Sequence, residues 1–268
     1  FIMAFHSVCF PRCLRLLPWS GPVLCPACLH STPEGPVSVP EPDPRLQELE
    51  SDPPNWKDLA SPEALASLKK KETKRQEVIN ELFTTEHAHV RMLSVLQVIF
   101  AKPLEREELV TAPELATIFP SLDEIIELHS KCSCKEVFVT RFGGTEGEWF
   151  QKLTARFCSR QSWALDHIKT KQKKEPRFNA FIQEAESKPQ CRRLQLKDII
   201  PIEMQRLTKY PLLLENIAKS TEDPVEKADI EKSAECCRKI LNHVNEEDEG
   251  LSLSVSPATE WQLVQELD

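Results

Sequence analysis

Glycine is scarce in this chain, with 6 residues in 268, and tyrosine occurs once. So few turn-formers, and little β-rich sequence, leave no material for a sandwich or barrel. Basic charge is not in excess either. The 34 Lys and Arg against 42 Asp and Glu give a net charge of −8 and a pI near 5.5, which argues against nucleic-acid binding as the main task. No uninterrupted apolar run approaches the ~18 residues of a membrane span. Enzyme signatures are also missing: there is no G-x-x-x-x-G-K-[ST] loop, G-x-G-x-x-G turn, H-E-x-x-H pair or G-x-S-x-G elbow. His87 and His89 would lie about 160° apart around a helix, which rules out shared metal ligation by that pair.

What is present is long stretches of Leu, Glu, Lys, Gln and Ala, the composition of an all-helical body. Six of the ten cysteines (Cys9, Cys13, Cys25, Cys28, Cys132 and Cys134) fall outside the helical patterns, and Cys237 sits on a core stripe, as in a reduced, intracellular protein. The chain opens with Phe1 rather than Met and reads as a fragment. Cys25-Pro-Ala-Cys28 has half of a zinc spacing and no second pair at a regular distance. Residues 1–54 form a low-order Cys- and Pro-rich segment, in which 32–54 are expected to stay an extended linker.

Order is expected from Asn55-Trp56. A long helix is predicted from about Glu72 to Phe100, with a core stripe of Val78, Leu82, His89, Leu93, Leu96 and Phe100. Glu86 falls inside that stripe and must find a cation or donor there. Glu81 sits at its edge, and its spacing alone favours a solvated glutamate. Two short helices flank Pro120. Gly143-Gly-Thr-Glu-Gly147 is poor helix material, and a helical pattern then runs from Trp149 to Ile168. Arg177–Ala185 gives a short amphipathic helix. The cations at 169–177 and Arg192-Arg193 are expected to be a solvated face, with an acidic partner or membrane surface as the alternative. A final helix opens at Glu222-Asp-Pro224 and buries Ile230, Ala234, Cys237, Leu241 and Val244; an acidic, Ser-containing tail, 247–268, follows it.

The segment from Leu196 to Ile217 carries two faces. Leu196, Ile200, Leu207, Pro211, Leu214 and Ala218 make a core stripe, while Ile202, Arg206, Lys209, Leu213 and Asn216 lie opposite. That second face mixes aliphatics with fixed cations, so either another helix or another protein covers it.

Asn80–Val90, Phe157–Ala164, Leu196–Leu214 with its Gln205-Arg-Leu-Thr-Lys-Tyr-Pro-Leu-Leu-Leu214 core, and Val244-Asn245 together resemble the Dbl-homology (DH) domain of Rho guanine-nucleotide exchange factors. Lys74–Leu82 and Cys191–Ile199 look most like the RGS-containing subgroup. The resemblance implies an all-α, elongated helical bundle over residues 55–246, with disordered N- and C-terminal tails. It implies exchange by non-covalent binding, with no cofactor and no metal. In the family, the residue matching Glu81 meets switch I of the GTPase, and those matching Lys209 and Asn245 meet switch II. Arg206 and Leu213 share the Lys209 face, and Trp56 either touches the GTPase or anchors the N-terminal segment. The implied partner is a Rho-family GTPase, RhoA in preference to Rac, in the cytoplasm, with recruitment to the plasma membrane in a longer form. The heterotrimeric G-protein link of the subgroup belongs to full-length relatives. The chain departs from the family in a shortened middle near 130–141, expected to cost stability, and in having no pleckstrin-homology (PH) domain after the final helix. A helical GTPase-binding or scaffold module without exchange activity, and a lipid-binding bundle, are the competing readings.

Overall fold

The computed structural model describes residues 43–130 and 141–251, with side chains as far as Glu246. No strand occurs among the described residues. Three short helices, α1 Pro44–Glu48, α2 Trp56–Leu59 and α3 Pro62–Ser67, lead into α4 Lys70–Val95. A π-helical turn, Leu96–Ala101, carries α4 into α5 Lys102–Arg106. The wide turn precedes Pro103, whose ring would collide with the Ile99 carbonyl in an unbroken α-helix. The expected stripe of α4 is buried throughout, from Val78 to Phe100.

Next come α6 Ala112–Ile118 and α7 Leu122–Ser130. Thr111 and Glu114 cap α6 reciprocally, and the chain breaks between the two helices with Ser121 at φ 54°. Beyond α7 are α8 Gly144–Cys158, α9 Gln161–Lys174, α10 Pro176–Ser187, α11 Leu196–Ile199, α12 Ile202–Ser220 and α13 Pro224–Leu251.

α12 is the axis of the bundle. It packs on α4 along one side and on α13 along another, with α8 against both α12 and α13, and α7 against α4 and α8. Its predicted core stripe is buried at every position, and it begins only after a break at Ile200-Pro201. On α13, Ile230, Ala234, Cys237 and Val244 are buried as expected, but Ile240 fills the position expected of Leu241, which is only partly buried. Stepping three residues from Cys237 and then four to Val244 keeps the stripe on one face.

Several expectations need correction. The stretch Gly143–Gly147 is the start of α8, not a break. Gly144 supplies φ +60°, and a Cβ on Gly147 would lie 2.5 Å from the Phe142 carbonyl oxygen, so the glycines allow the helix to begin against the preceding turn. The pattern from Trp149 to Ile168 is two helices, parted at Ser159-Arg160, where the Ser159 hydroxyl bonds back to the Arg156 carbonyl. The final helix runs beyond Glu246 to Leu251.

Order also begins before Asn55. Leu46 of α1 is buried in the main core, and Arg91 of α4, itself fully buried, donates at 2.8 Å to both Glu50 and the Gln190 carbonyl. The buried guanidinium needs those acceptors, so the end of the proline-rich segment docks. The Cys25/Cys28 pair, the shortened middle and the acidic tail lie outside the described residues, apart from the helical residues 247–251.

Trp56 is 4% exposed, and its amide donates to Asn80 Oδ1 at 3.0 Å. Its neighbour Lys57 pairs with Glu77 at 3.1 Å. The buried indole packs α2 against α4. Trp56→Ala is expected to lower the melting temperature by a few degrees, because a large buried apolar side chain is lost. The activity per folded molecule should be unchanged, measured after correcting for the folded fraction.

Candidate functional site

The residues marked out by the sequence fall into two groups. Glu81, Lys209 and Asn245 are accessible: Glu81 and Lys209 are exposed, and Asn245 is half-buried on α13 beside the fully buried Val244. The helices carrying Glu81 and Asn245 both flank the helix carrying Lys209. Arg206 and Leu213, on the face that another helix or another protein had to cover, are buried at 6% and 7% exposure. The reason is that α4 and α13 enclose a wider arc of α12 than one stripe, so a helix covers that part of the face.

The outward line of α12 is Gln205, Lys209, Leu212, Asn216 and Lys219. Leu212, 55% exposed, is the residue that sequence reasoning missed. The signal was in the run Leu212-Leu213-Leu214. At 100° per residue three successive leucines cannot share one core face, and with Leu214 inside, Leu212 points about 160° away from it. One large apolar side chain thus stands a single turn from Lys209.

Beneath this surface lies a buried ionic cluster drawn from three helices. Glu86 accepts from Arg206 Nε at 2.7 Å, from the Tyr210 hydroxyl at 2.7 Å and from His129 Nδ1 at 2.8 Å. This meets the requirement that the sequence placed on Glu86. His129 also bonds Glu203 through Nε2 at 3.1 Å, and His89 Nε2 lies 2.8 Å from the other Glu203 oxygen. Arg206 reaches further, to the Thr85 hydroxyl at 2.8 Å and the Leu82 carbonyl at 3.1 Å. Thr85 in turn donates to the Glu81 carbonyl at 2.7 Å. A continuous chain of hydrogen bonds therefore joins the backbone of Glu81 to the helix that carries Lys209.

Charge in the cluster is balanced. Both ring nitrogens of His129 face carboxylates, so both must carry protons, and the two carboxylates raise its pKa to about 9 against the cost of burial. His89 moves the other way: burial, and the charge on His129, hold its pKa below the usual imidazole value. A neutral His89 donates from Nε2 to Glu203, and its Nδ1 has no partner. Glu203 is held down to about 2, and Glu86 lower still, by His129 acting against desolvation. Two carboxylates, one imidazolium and one guanidinium sum to zero.

His89, His129 and Glu203 are the one group among the described residues with ligand atoms close enough to surround a metal ion, all within 4.8 Å. Their geometry is that of hydrogen bonds, and each Glu203 oxygen is already engaged by one imidazole. Elsewhere, Lys171 pairs with Glu114 and Glu175 at 3.5 and 3.0 Å, while Lys169, Lys173, Lys174 and Arg177 are exposed. No helix among the described residues is long and apolar enough to cross a membrane.

Comparison with known proteins bears on this arrangement. Residues 78–245 match the RhoGEF domain family. The chain is 54% identical to human Rho guanine nucleotide exchange factor 1 over 216 residues, which cover 74% of this chain and 24% of that protein. It is 51% identical to human Rho guanine nucleotide exchange factor 12, covering 74% of this chain and 14% of that protein. The chain thus spans a quarter or less of these relatives. The DH/PH domains of p115-RhoGEF superpose with a TM-score of 0.72 at 52% identity, over 75% of this chain and 59% of that one. The DH/PH fragment of PDZRHOGEF, solved in complex with human RhoA, gives a TM-score of 0.70 at 47% identity over 73% and 59%.

Proposed function

Since this chain belongs to the RhoGEF domain family, we propose that it promotes release of GDP from a Rho-family GTPase, RhoA in preference to Rac. The observation that carries this reading is the accessible edge of α12. Lys209 and Leu212 stand on the outward line of α12, whose other sides are enclosed, and α12 lies between the helices of Glu81 and Asn245. Such an edge offers a carboxylate, an ammonium, an amide and one large apolar contact on a rigid support, which suits recognition of a folded protein surface.

Exchange on this reading needs no covalent step and no cofactor. Glu81 engages switch I, while Lys209 and Asn245 engage switch II and Leu212 packs beside them. Arg206 and Leu213 act from beneath, holding α12 against α4 and α13, and Trp56 acts only as an anchor. The surface binds the nucleotide-free GTPase more tightly than the GDP-bound one. That difference in affinity shifts the population towards the open state, and GTP then enters. Its setting is the cytoplasm, and partners or activities of the longer relatives beyond this step lie outside the region matched.

The test is release of a fluorescent GDP analogue from RhoA. Wild-type chain at micromolar concentration is expected to accelerate it, with less effect on Rac. Glu81→Ala and Lys209→Ala should each lower the rate by roughly thirtyfold, the effect of removing an interface residue worth about 2 kcal/mol. Their melting temperatures should stay unchanged, because both side chains are exposed. A wild-type chain that binds RhoA without preference for its nucleotide-free form, and does not speed release, would leave the non-exchanging module as the correct description.

A further inference from the structure

The contacts proposed for the GTPase come from surface residues, yet a buried set of charges joins the helix of Glu81 to the helix of Lys209. We propose that His129 is a positioning residue for exchange: held between Glu86 of α4 and Glu203 of α12, it fixes the helix bearing Glu81 against the helix bearing Lys209. The inference rests on the exchange reading and assigns a part in it to a residue that does not reach the surface.

The geometry is specific. His129 sits on α7, which packs on α4 and carries neither Glu81 nor Lys209. Through Nδ1 it engages a Glu86 oxygen, leaving the other Glu86 oxygen for Arg206 and Tyr210. Through Nε2 it engages Glu203, at the start of α12. The same Arg206 spans to the carbonyl of Leu82, the residue after Glu81, and to Thr85, whose hydroxyl donates to the Glu81 carbonyl one turn back. One imidazolium therefore bonds the two long helices at once, and its acceptor Glu86 sets the guanidinium that braces the Glu81 turn.

Among the described residues, charged and titratable groups meet His129 from α4 and α12. α4 contributes Glu86 and His89, and α12 contributes Glu203, Arg206 and Tyr210. α8 contributes only the ring of Phe150, with Phe142 packed on Phe150 and Tyr210. Arg141 bonds the Leu128 carbonyl beside it. With His129 charged, the bonded group of Glu86, Glu203, His129 and Arg206 is neutral. With His129 uncharged it carries a net negative charge in a site closed to water, and one imidazole nitrogen faces a carboxylate without a proton. Arg206 is then the remaining cation for both carboxylates. Re-aiming it towards them releases Thr85 and the Leu82 carbonyl, and with them the placement of Glu81. Since the reaction depends on simultaneous contacts from α4, α12 and α13, a small displacement of one helix lowers the rate steeply.

Three proteins test this in the RhoA exchange assay at pH 7.5: wild type, His129→Gln, and the charge-neutral pair His129→Gln with Glu203→Gln. The single variant is expected to lower the rate at saturating RhoA by about tenfold, with a smaller change in the RhoA concentration at half-maximal rate. The double variant should recover most of that loss. A second measurement covers the case in which His129→Gln does not fold. Wild-type acceleration, divided by the intrinsic release rate at each pH, should fall from pH 7.5 to 9.5 while circular dichroism still reports the folded helices. Wild-type exchange with His129→Gln within twofold of it, a double variant no better than the single one, or a flat wild-type pH profile would each overturn the positioning role alone. A wild-type chain with no exchange activity would instead overturn the exchange reading, and this inference with it.

Discussion

Arg206→Ala is expected to destabilise the protein by about 3–5 kcal/mol, the cost of leaving a buried charge without its partner. The guanidinium makes a 2.7 Å bond to Glu86, two more to Thr85 and the Leu82 carbonyl, and lies 4.6 Å over the Tyr210 ring. Alanine removes all of these and turns a neutral cluster into one with a net negative charge. Glu86 would then have to take up a proton or draw water into the core, and either response loses native interactions. Arg206→Lys should rescue little, since a point ammonium cannot serve three acceptors fixed in a planar fork. By contrast, breaking the exposed Lys57–Glu77 pair should cost no more than about 1 kcal/mol. Urea denaturation of the variants would measure this, and an Arg206→Ala loss no larger than that of the exposed pair would contradict the cluster's assigned energetics.

This contrast also explains which features were legible in the sequence. The long helices were, because apolar spacing in α4, α12 and α13 encodes burial directly. Glu86 was legible as an acid that needed a partner, because it interrupts a core stripe. The partners were not. His129, Arg206 and Tyr210 lie 43, 120 and 124 residues away from it in the chain, and no local pattern records which polar residues of different helices will meet. Periodicity marked two faces on α12 and left open whether a helix or another protein covers the second. One stripe suffices for a surface helix, but a helix enclosed by several neighbours buries a broad arc, so Arg206 and Leu213 went inward and Leu212 outward. At Gly143–Gly147, composition alone suggested a break, whereas the close approach of Phe142 demands glycine within a helix. Before Asn55, Leu46 enters the core and Glu50 meets Arg91, whose need for acceptors appears only once it is seen to be buried. Of the accessible candidates, Glu81 and Asn245 were drawn from family resemblance, while Lys209 also lay on a face that spacing had singled out. Spacing by itself read Glu81 as an ordinary surface acid.

The second large effect is on the pH dependence of stability. His129 titrates near the usual imidazole value of 6.5 when unfolded and near 9 when folded. Its folded value is raised, so its stabilisation is fully present below about pH 6.5, declines as pH rises, and is gone above about 9. Multiplying the interval by about 1.4 kcal/mol per pH unit gives a loss on the order of 3 kcal/mol. His89 and the two carboxylates act in the opposite direction. His89 has a lowered folded value, so its contribution is complete above pH 6.5 and is lost as pH falls below it. Glu203 contributes above the ordinary carboxylate value of 4.5 and loses this as pH falls towards about 2. Stability against urea should therefore be highest near pH 6.5 and fall on the alkaline side across the interval in which only His129 of this cluster gives up a proton. In His129→Gln that alkaline slope should flatten, and the acid-side contribution of Glu203 and Glu86 should shrink with it, because His129 is what holds their carboxyls down. A wild-type unfolding free energy that stayed level from pH 6.5 to 9, or an alkaline slope that survived unchanged in His129→Gln, would mean that the ring between Glu86 and Glu203 is neutral and that the cluster holds one proton fewer than its geometry requires.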